Sequence, residues 1–206
     1  LMLPVIDTRG DVVGFGSRVL DKSEPKYMNS SETPVYSKRR VLYGLNLAKK
    51  SKRPNIILCE GNLDIVTLHQ AGFDNAVASM GTALTVEQTR LLSRFTKELV
   101  LCYDNDNAGK IATERALQIL NGSEFSVKVL QLPRRLVDGE YIKQDADDFI
   151  KLQGPDAFER LLNGSENGVE FRMAQIAGKY DLKDDEARIA YCGEVSELLA
   201  SLPGAV

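Results

Sequence analysis

Short apolar runs alternate with amphipathic segments through the middle of the chain. Strand-like runs cover residues 55–59, 76–80, 98–103 and 126–132, and segments with helical spacing lie between them. Continuous apolar strands are typical of a sheet that is buried on both faces. Strands that alternate with helices at this spacing predict a mostly parallel sheet flanked by helices. The pattern therefore predicts the α/β fold class.

The two ends of the chain have other patterns. Two strand-like segments near the start, residues 3–6 and 12–19, precede a polar loop that runs to about residue 38. A polar loop of variable appearance follows the fourth central strand to about residue 144. After residue 148 the spacing is helical, beginning with one long helix over residues 149–162. We therefore expect three parts, namely a small β-containing segment (1–52), a central α/β domain (53–150) and a helical segment (151–206).

Acidic residues follow the predicted central strands. Glu60 comes directly after the first strand with Asp64 in the next helical turn, and Asp104 and Asp106 come after the third. The second strand is followed by Gly81-Thr82, and the fourth, at some distance, by Asp145, Asp147 and Asp148. Ligands of open parallel sheets bind beyond the carboxyl ends of the strands. We expect these carboxylates to converge on one edge.

A converging set of carboxylates indicates a site for a hard divalent cation. Mg²⁺ prefers oxygen ligands, and two such ions activate an attacking hydroxyl and stabilise a leaving pyrophosphate. A single acidic residue at a strand end is more often a helix cap or a surface group, and Asp106 could cap the helix after it. Three acidic groups favour the metal, with Asp148 expected to be a surface or capping residue. Glu60, Asp104 and Asp106 are the catalytic candidates.

Charge and cysteine content change this picture little. The net charge of the 206 residues is −3, but basic residues outnumber acidic ones between Arg9 and Arg53. A basic region beside an acidic cluster is typical of a metal-dependent enzyme that acts on phosphates. The three separated cysteines form no zinc or disulfide pattern and suit a reducing cytoplasm. No apolar run is long enough to cross a bilayer.

Two motifs give the chain a family resemblance. Glu60-Gly-Asn-Leu-Asp64 and Asp104-Asn-Asp106 resemble the E-G-x-x-D and D-x-D motifs of the Toprim domain. The preceding stretches Gly14-Phe-Gly-Ser-Arg-Val-Leu20 and Pro25-Lys-Tyr-Met-Asn-Ser30, with Leu42-Tyr-Gly44, resemble bacterial DNA primases of the DnaG type. The resemblance implies a Toprim fold and covers essentially the whole chain.

The resemblance implies an activity and a set of site residues. The activity is template-directed synthesis of short RNA primers on single-stranded DNA from nucleoside triphosphates, with Mg²⁺ or alternatively Mn²⁺. The implied metal ligands are Glu60, Asp64, Asp104, Asp106, Asp145 and Asp147. Contacts to nucleotide and template are implied for Arg18, Lys26 and Lys38, while Asn29 either hydrogen-bonds a nucleotide or fixes the loop. The third acidic motif departs from the family pattern, because Ala146 stands where a proline is usual.

The resemblance also implies what lies outside the chain. The chain reads as a segment of a longer protein, with the zinc-binding module and the region that contacts the replicative helicase expected elsewhere. We expect a monomer in the cytoplasm, at the replication fork, without membrane contact. Two alternatives stay open at this stage: another Toprim chemistry, such as nuclease or topoisomerase cleavage, or a nucleic-acid-binding module without catalysis.

Overall fold

A computed structural model describes residues 1–21, 23–81, 83–137 and 139–202. Thr82, named above beside the second central strand, lies outside the described residues. The strands are β1 (Met2–Ile6), β2 (Val12–Arg18), β3 (Tyr27–Asn29), β4 (Asn55–Cys59), β5 (Ala76–Ala78), β6 (Glu98–Leu101), β7 (Ser126–Val129), β8 (Arg135–Val137), β9 (Glu140–Ile142) and β10 (Glu166–Asn167). The helices are α1 (Leu45–Ala48), α2 (Asn62–Gln70), α3 (Val86–Leu92), α4 (Asn107–Leu120), α5 (Ala146–Gln153), α6 (Pro155–Asn163), α7 (Gly168–Ala177) and α8 (Asp185–Ala200).

The central sheet has the strand order β10-β7-β6-β4-β5. The four predicted strands β4, β5, β6 and β7 pair in parallel, and only the two-residue β10 runs antiparallel, against β7. The prediction of a mostly parallel sheet is confirmed. Because β4 and β6 are neighbours, their carboxyl ends lie side by side.

Both faces of this sheet are buried, as the continuous apolar strands predicted. Ile56 and Leu58 of β4 face a core shared with helices α1, α3, α4 and α7, while Ile57 and Cys59 face the opposite core with α2, α5 and α6. This alternation is the two-residue period of a strand, and all four of these side chains are apolar. Helices on both faces make the sheet the middle layer of three.

The small sheet β1-β2-β3 is antiparallel and joins the central sheet near the end of β5. The backbone of Tyr43 forms an isolated bridge with Ala78 of β5. Val5 and Tyr36 are fully buried and pack with Met80, which follows β5. These contacts hold the first part of the chain beside the carboxyl edge of the central sheet.

The region after β7 differs from the sequence prediction. Residues 133–144, predicted as a loop, contain the hairpin β8–β9, whose two strands pair with each other in a separate two-stranded sheet. The predicted helix over residues 149–162 is two helices, because Gly154 adopts φ 80° and Pro155 begins α6. Pro at the first helical position and a left-handed Gly before it both interrupt a continuous helix.

Among the described helices, none combines the length and apolar character that a bilayer crossing needs.

One glycine allows a close approach that the acidic edge depends on. Gly109 lies in the first turn of α4, and a Cβ atom there would lie 1.9 Å from the backbone oxygen of Asp104. No side chain fits at that distance, so glycine is required for the turn from β6 into α4.

We predict that Gly109→Ala lowers the free energy of unfolding by about 2–3 kcal/mol, because overpacked sites must shift their backbone. Chemical denaturation measures the change. Gly193→Ala is the matched control, since Gly193 lies on exposed α8 with no atom within 4 Å of an added Cβ. Alanine should stabilise that helix by roughly 0.5–1 kcal/mol. Equal effects of the two substitutions would contradict the prediction.

Candidate metal and nucleotide site

Parallel pairing of β4 with β6 places Glu60 and Asp104 at the same edge. Leu58 lies opposite Leu101 in the register, and Glu60 and Asp104 follow within three residues of this pair. Asp106 then caps α4, with its Oδ1 accepting a hydrogen bond of 2.8 Å from the Gly109 N–H. The two strand ends and one helix start therefore position the three predicted catalytic carboxylates.

Glu60 is partly buried and incompletely hydrogen bonded. Its Oε1 is shielded from water and has no hydrogen-bond partner among the described residues. Burial, followed by the nearby negative charges of Asp104 and Asp106, raises the pKa of Glu60 above its ordinary value, although a backbone hydrogen bond from Asp104 acts in the opposite direction. A buried acceptor without a partner is costly unless a cation or donor joins it.

Lys143 joins this edge and was not predicted from the sequence. Its Nζ lies 3.1 Å from Oδ2 of Asp104 and 3.0 Å from Oδ2 of Asp106. Hydrogen bonds to Asp106 and Asp104 raise the pKa of the Lys143 amine. Hydrogen bonds from the Gly109 N–H and from Lys143 lower the pKa of Asp106. Lys143 directly follows β9, in a segment expected to be a variable loop.

Asp64 lies between this edge and the third acidic group. It is buried, with Oδ2 accepting from the Gly61 N–H at 3.2 Å and Oδ1 accepting from the Asp147 N–H at 3.2 Å. Burial, and next the charge of Asp145, raises the pKa of Asp64 to about 7. Asp64 thus links the start of α2 to the start of α5.

The third acidic group lies at the start of α5. Carboxylate oxygens of Asp145, Asp147 and Asp148 all lie within 4.8 Å of one another, and the exposed Asp148 belongs to this group as well. Asp145 caps α5 by accepting from the Asp148 N–H at 2.7 Å. Asp147 accepts from the Thr67 hydroxyl and pairs with Lys151. Helix capping therefore already uses one oxygen of Asp145 in this acidic group.

The residues present fit a divalent cation. A positively charged group, the Lys143 ammonium, already bridges two carboxylates at the edge, and the buried Glu60 Oε1 is directed to no donor among the described residues. Oxygen atoms of carboxylates are the donor set of Mg²⁺ and related hard ions.

The predicted basic residues lie on the small sheet and the turn after it. Arg18 and Lys26 meet at Tyr27, with the guanidinium carbon 5.4 Å and the ammonium 5.7 Å from the ring centroid. The Asn29 amide donates to the backbone oxygen of Met80 at 3.1 Å. Lys38 is held through its backbone and has no side-chain contact with the other three among the described residues. The structure therefore brings together two of the four.

Asn62 connects the small sheet to the acidic edge. A Cβ on Gly16 of β2 would lie 2.6 Å from the Asn62 amide nitrogen and 3.1 Å from Oδ1 of Asn29. Asn62 lies within the first acidic motif, two residues after Glu60. Asn29 also binds Met80, which has the left-handed φ of 62°. The basic strands and the carboxylates are therefore held as neighbours.

Comparisons with known families and structures agree along the chain. Residues 1–49 match the family model of the DNA primase catalytic core, N-terminal domain, residues 57–150 match a Toprim-like family, and residues 169–206 match the DnaB-helicase binding domain of primase. The DNA primase of Clostridium acetobutylicum is 41% identical over 203 residues, which cover 98% of the chain and 33% of that protein. The chain belongs to the DnaG-type family of bacterial DNA primases.

Solved structures of this primase family have the same fold. A DNA primase domain from Pseudomonas aeruginosa superposes with a TM-score of 0.81 at 34% identity, covering 98% of the chain and 62% of that domain. The RNA polymerase domain of Mycobacterium tuberculosis DnaG, in complex with a double-stranded DNA oligomer with a 6-nucleotide overhang, gives a TM-score of 0.79 at 31% identity, covering 98% and 64%. The Toprim fold prediction is confirmed. The chain spans about a third of the length of the curated relatives it matches.

Two expectations change with these comparisons. The helicase-binding region was expected outside the chain, but residues 169–206, which contain α8 and all but the first residue of α7, match the family model for it. That expectation therefore needs correction. Nuclease or topoisomerase chemistry is not favoured, because the matched relatives and structures are primases and the matches cover 98% of the chain.

We predict that Asp64 makes the metal-free fold less stable as the pH rises. Its folded pKa of about 7 lies above the ordinary value of 3.8, so the folded state holds a proton that the unfolded chain releases. The contribution of protonated Asp64 to the free energy of unfolding is fully present below about pH 4 and is lost as the pH rises through 7. Asp64→Asn should reduce the difference in unfolding free energy between pH 5 and pH 8.5 by about 2 kcal/mol, measured by urea denaturation in EDTA.

The exposed Asp156→Asn is the control for this measurement, because its side chain lies at the surface in the first turn of α6. An Asp64→Asn protein with the pH dependence of the unaltered chain would rule out a protonated Asp64 in the fold.

Proposed function

We propose that the chain is the metal-binding catalytic part of a bacterial primase, which joins ribonucleotides into short RNA primers on single-stranded DNA. One observation carries this proposal: the primase match extends along the chain, and its carboxylates lie at one edge beside the basic strands. The activity is that of a DNA-directed RNA polymerase, a nucleotidyltransferase. A DnaG primase catalytic domain that is 34% identical to this chain has been solved bound to single-stranded DNA, which supports the choice of template.

Six carboxylates would hold the metal, which we take to be Mg²⁺ with Mn²⁺ as an alternative. They are Glu60, Asp64, Asp104, Asp106, Asp145 and Asp147. When bound, such ions lower the pKa of an attacking hydroxyl and stabilise the charge of a leaving pyrophosphate. Asp106 and Asp145 each use one oxygen as a helix cap, which leaves the other oxygen free of that cap.

Glu60 is the candidate general base. Its raised pKa and its unpartnered Oε1 suit a carboxylate that accepts a proton from a primer 3′-hydroxyl. Partial burial keeps water away from this oxygen and strengthens its interaction with charged groups. Asp64, buried beneath the edge, orients the start of α2 and the Asp147 backbone through its two hydrogen bonds.

Arg18, Lys26, Asn29 and Lys38 would bind triphosphate and template. Arg binds phosphate through two parallel hydrogen bonds and Lys as a point charge. Tyr27 lies against Arg18 and Lys26 and is 54% exposed, so its ring limits where these two cations can lie. Asn29 acts through its hydrogen bond to Met80, which fixes the basic strand beside the edge. Such contacts recognise the nucleic-acid backbone rather than sequence.

The proposed setting follows from the same family. The template, the nucleoside triphosphates, the RNA product and the replicative helicase are the partners, and residues 169–206 are the candidate helicase contact. We propose a monomer that acts at the replication fork in the cytoplasm. The proposal also divides the chain into three parts, residues 1–52, 53–150 and 151–206. Any zinc would belong to a module outside these residues.

Mn²⁺ calorimetry tests the metal site. We predict saturable binding that the double change Asp104→Asn with Asp106→Asn abolishes, because both carboxylates at the edge are lost. The control is Asp156→Asn with Asp185→Asn, which removes the same charge from the starts of α6 and α8. Mn²⁺ binding that is equal in the two double variants would refute the site.

Ribonucleotide incorporation on unprimed single-stranded DNA tests the activity. It is measured for the chain and for a chimaera in which the chain replaces the matching 62% of the Pseudomonas aeruginosa domain. We predict that Glu60→Gln reduces incorporation by roughly 100-fold or more, since even indirect partners of metal ligands cost 10–100-fold. Cleavage of end-labelled DNA without incorporation would instead support nuclease chemistry.

A further inference from the structure

Lys143 takes the place of a cation at the acidic edge. Its Nζ lies 3.0–3.1 Å from one oxygen of Asp106 and one of Asp104, and its side chain is 55% exposed. The contact spans 37 and 39 residues of sequence, so folding of the hairpin β8–β9 brings the lysine to this edge. Lys143 is the only lysine or arginine described in contact with either carboxylate.

We propose that Lys143 is a built-in counter-ion that a divalent cation must displace before it binds to Asp104 and Asp106. This inference rests on the proposed function, because it assumes that these two carboxylates are metal ligands. It adds a residue from outside the acidic motifs that sets how tightly the metal binds.

Lys143 and a metal ion would compete for the same carboxylate oxygens. Oδ1 of Asp106 already accepts the Gly109 N–H at 2.8 Å, which leaves Oδ2, the oxygen that Lys143 holds. Oδ2 of Asp104 is the other oxygen in the bridge. A divalent cation held by these same oxygens would compete with the ammonium that bridges them. The two charges would also repel each other.

The position of Lys143 allows it to leave. The lysine directly follows β9, and β8 and β9 pair only with each other within the described part of the chain. A two-stranded hairpin without further strands is marginally stable by itself. With more than half of its side chain exposed, Lys143 can move into water without breaking buried packing.

Lys143 offsets the negative charge of the acidic edge when no metal is bound. Without it, Asp104 and Asp106 would face Glu60 with no positive charge in contact, because their remaining described partners are backbone groups and other acidic residues. Like charges held a few ångströms apart destabilise a fold. Lys143 therefore stabilises the empty site and, for the same reason, weakens the first binding of metal.

Mn²⁺ affinity measured by calorimetry and electron paramagnetic resonance tests the proposal on the chain without nucleotide. We predict that Lys143→Met binds Mn²⁺ about tenfold more tightly than the unaltered chain, and that Lys143→Arg does not gain affinity. Lys97→Met is the matched control. Lys97 is also an exposed lysine paired with a carboxylate, Glu124, but it precedes β6 at the end opposite the site. It should leave Mn²⁺ affinity unchanged.

A second measurement on the unaltered fold tests displacement directly. The ¹⁵N resonance of the Lys143 side-chain ammonium, assigned by its loss in Lys143→Arg, should change to that of a solvated lysine as Mg²⁺ saturates the site. If Mg²⁺ binds while this resonance stays unchanged, the proposal is wrong. If Lys143→Met and Lys97→Met have equal affinities, it is also wrong.

The two proposals fail in different ways. Loss of Mn²⁺ binding in the Asp104→Asn, Asp106→Asn variant, together with unaltered affinity in Lys143→Met, would overturn only the role of Lys143. Binding that persists in the double variant would overturn the metal site, and the counter-ion with it.

Discussion

The pairing of β4 with β6 is the constraint on which the rest of the site depends. Two parallel strands buried on both faces cannot move apart, so Glu60 and Asp104, which follow them, stay close. The negative charges of these neighbouring carboxylates repel one another, and backbone N–H groups and Lys143 offset part of that repulsion. Burial, followed by the charges of neighbouring aspartates, raises the pKa of Glu60 and Asp64.

The same arrangement separates rigid parts from adjustable ones. The carboxylates lie at the ends of central strands and at helix starts, and Gly109 fixes the turn from β6 into α4 by its contact with the Asp104 backbone. Lys143 instead follows a hairpin that lies outside the central sheet. A catalytic constellation works best when its ligands are held by packed elements. The hairpin can then move while the carboxylates stay in place.

The central sheet and the position of Glu60 and Asp104 at its edge could be predicted from the sequence, because both depend on local patterns. Continuous apolar runs marked β4 to β7, and the strand ends marked Glu60 and Asp104. The sequence does not predict four short strands, β3, β8, β9 and β10, because two or three mostly exposed residues carry no periodic signal. The Gly154-Pro155 pair marks the break between α5 and α6, whereas the helical spacing on either side of it predicts one helix. Lys143 could not be predicted, because its partners lie 37 and 39 residues away.

The bridge between Tyr43 and Ala78 also affects the tendency of the molecule to aggregate. β5 forms one border of the central sheet, and an unpaired border of that kind is a template on which another chain can add a strand. Here β5 has only three residues, and Tyr43 exchanges hydrogen bonds with Ala78 in both directions, at 2.9 and 3.0 Å. The opposite border is the two-residue β10. Both borders are therefore too short to seed the strand-to-strand stacking that leads to aggregation.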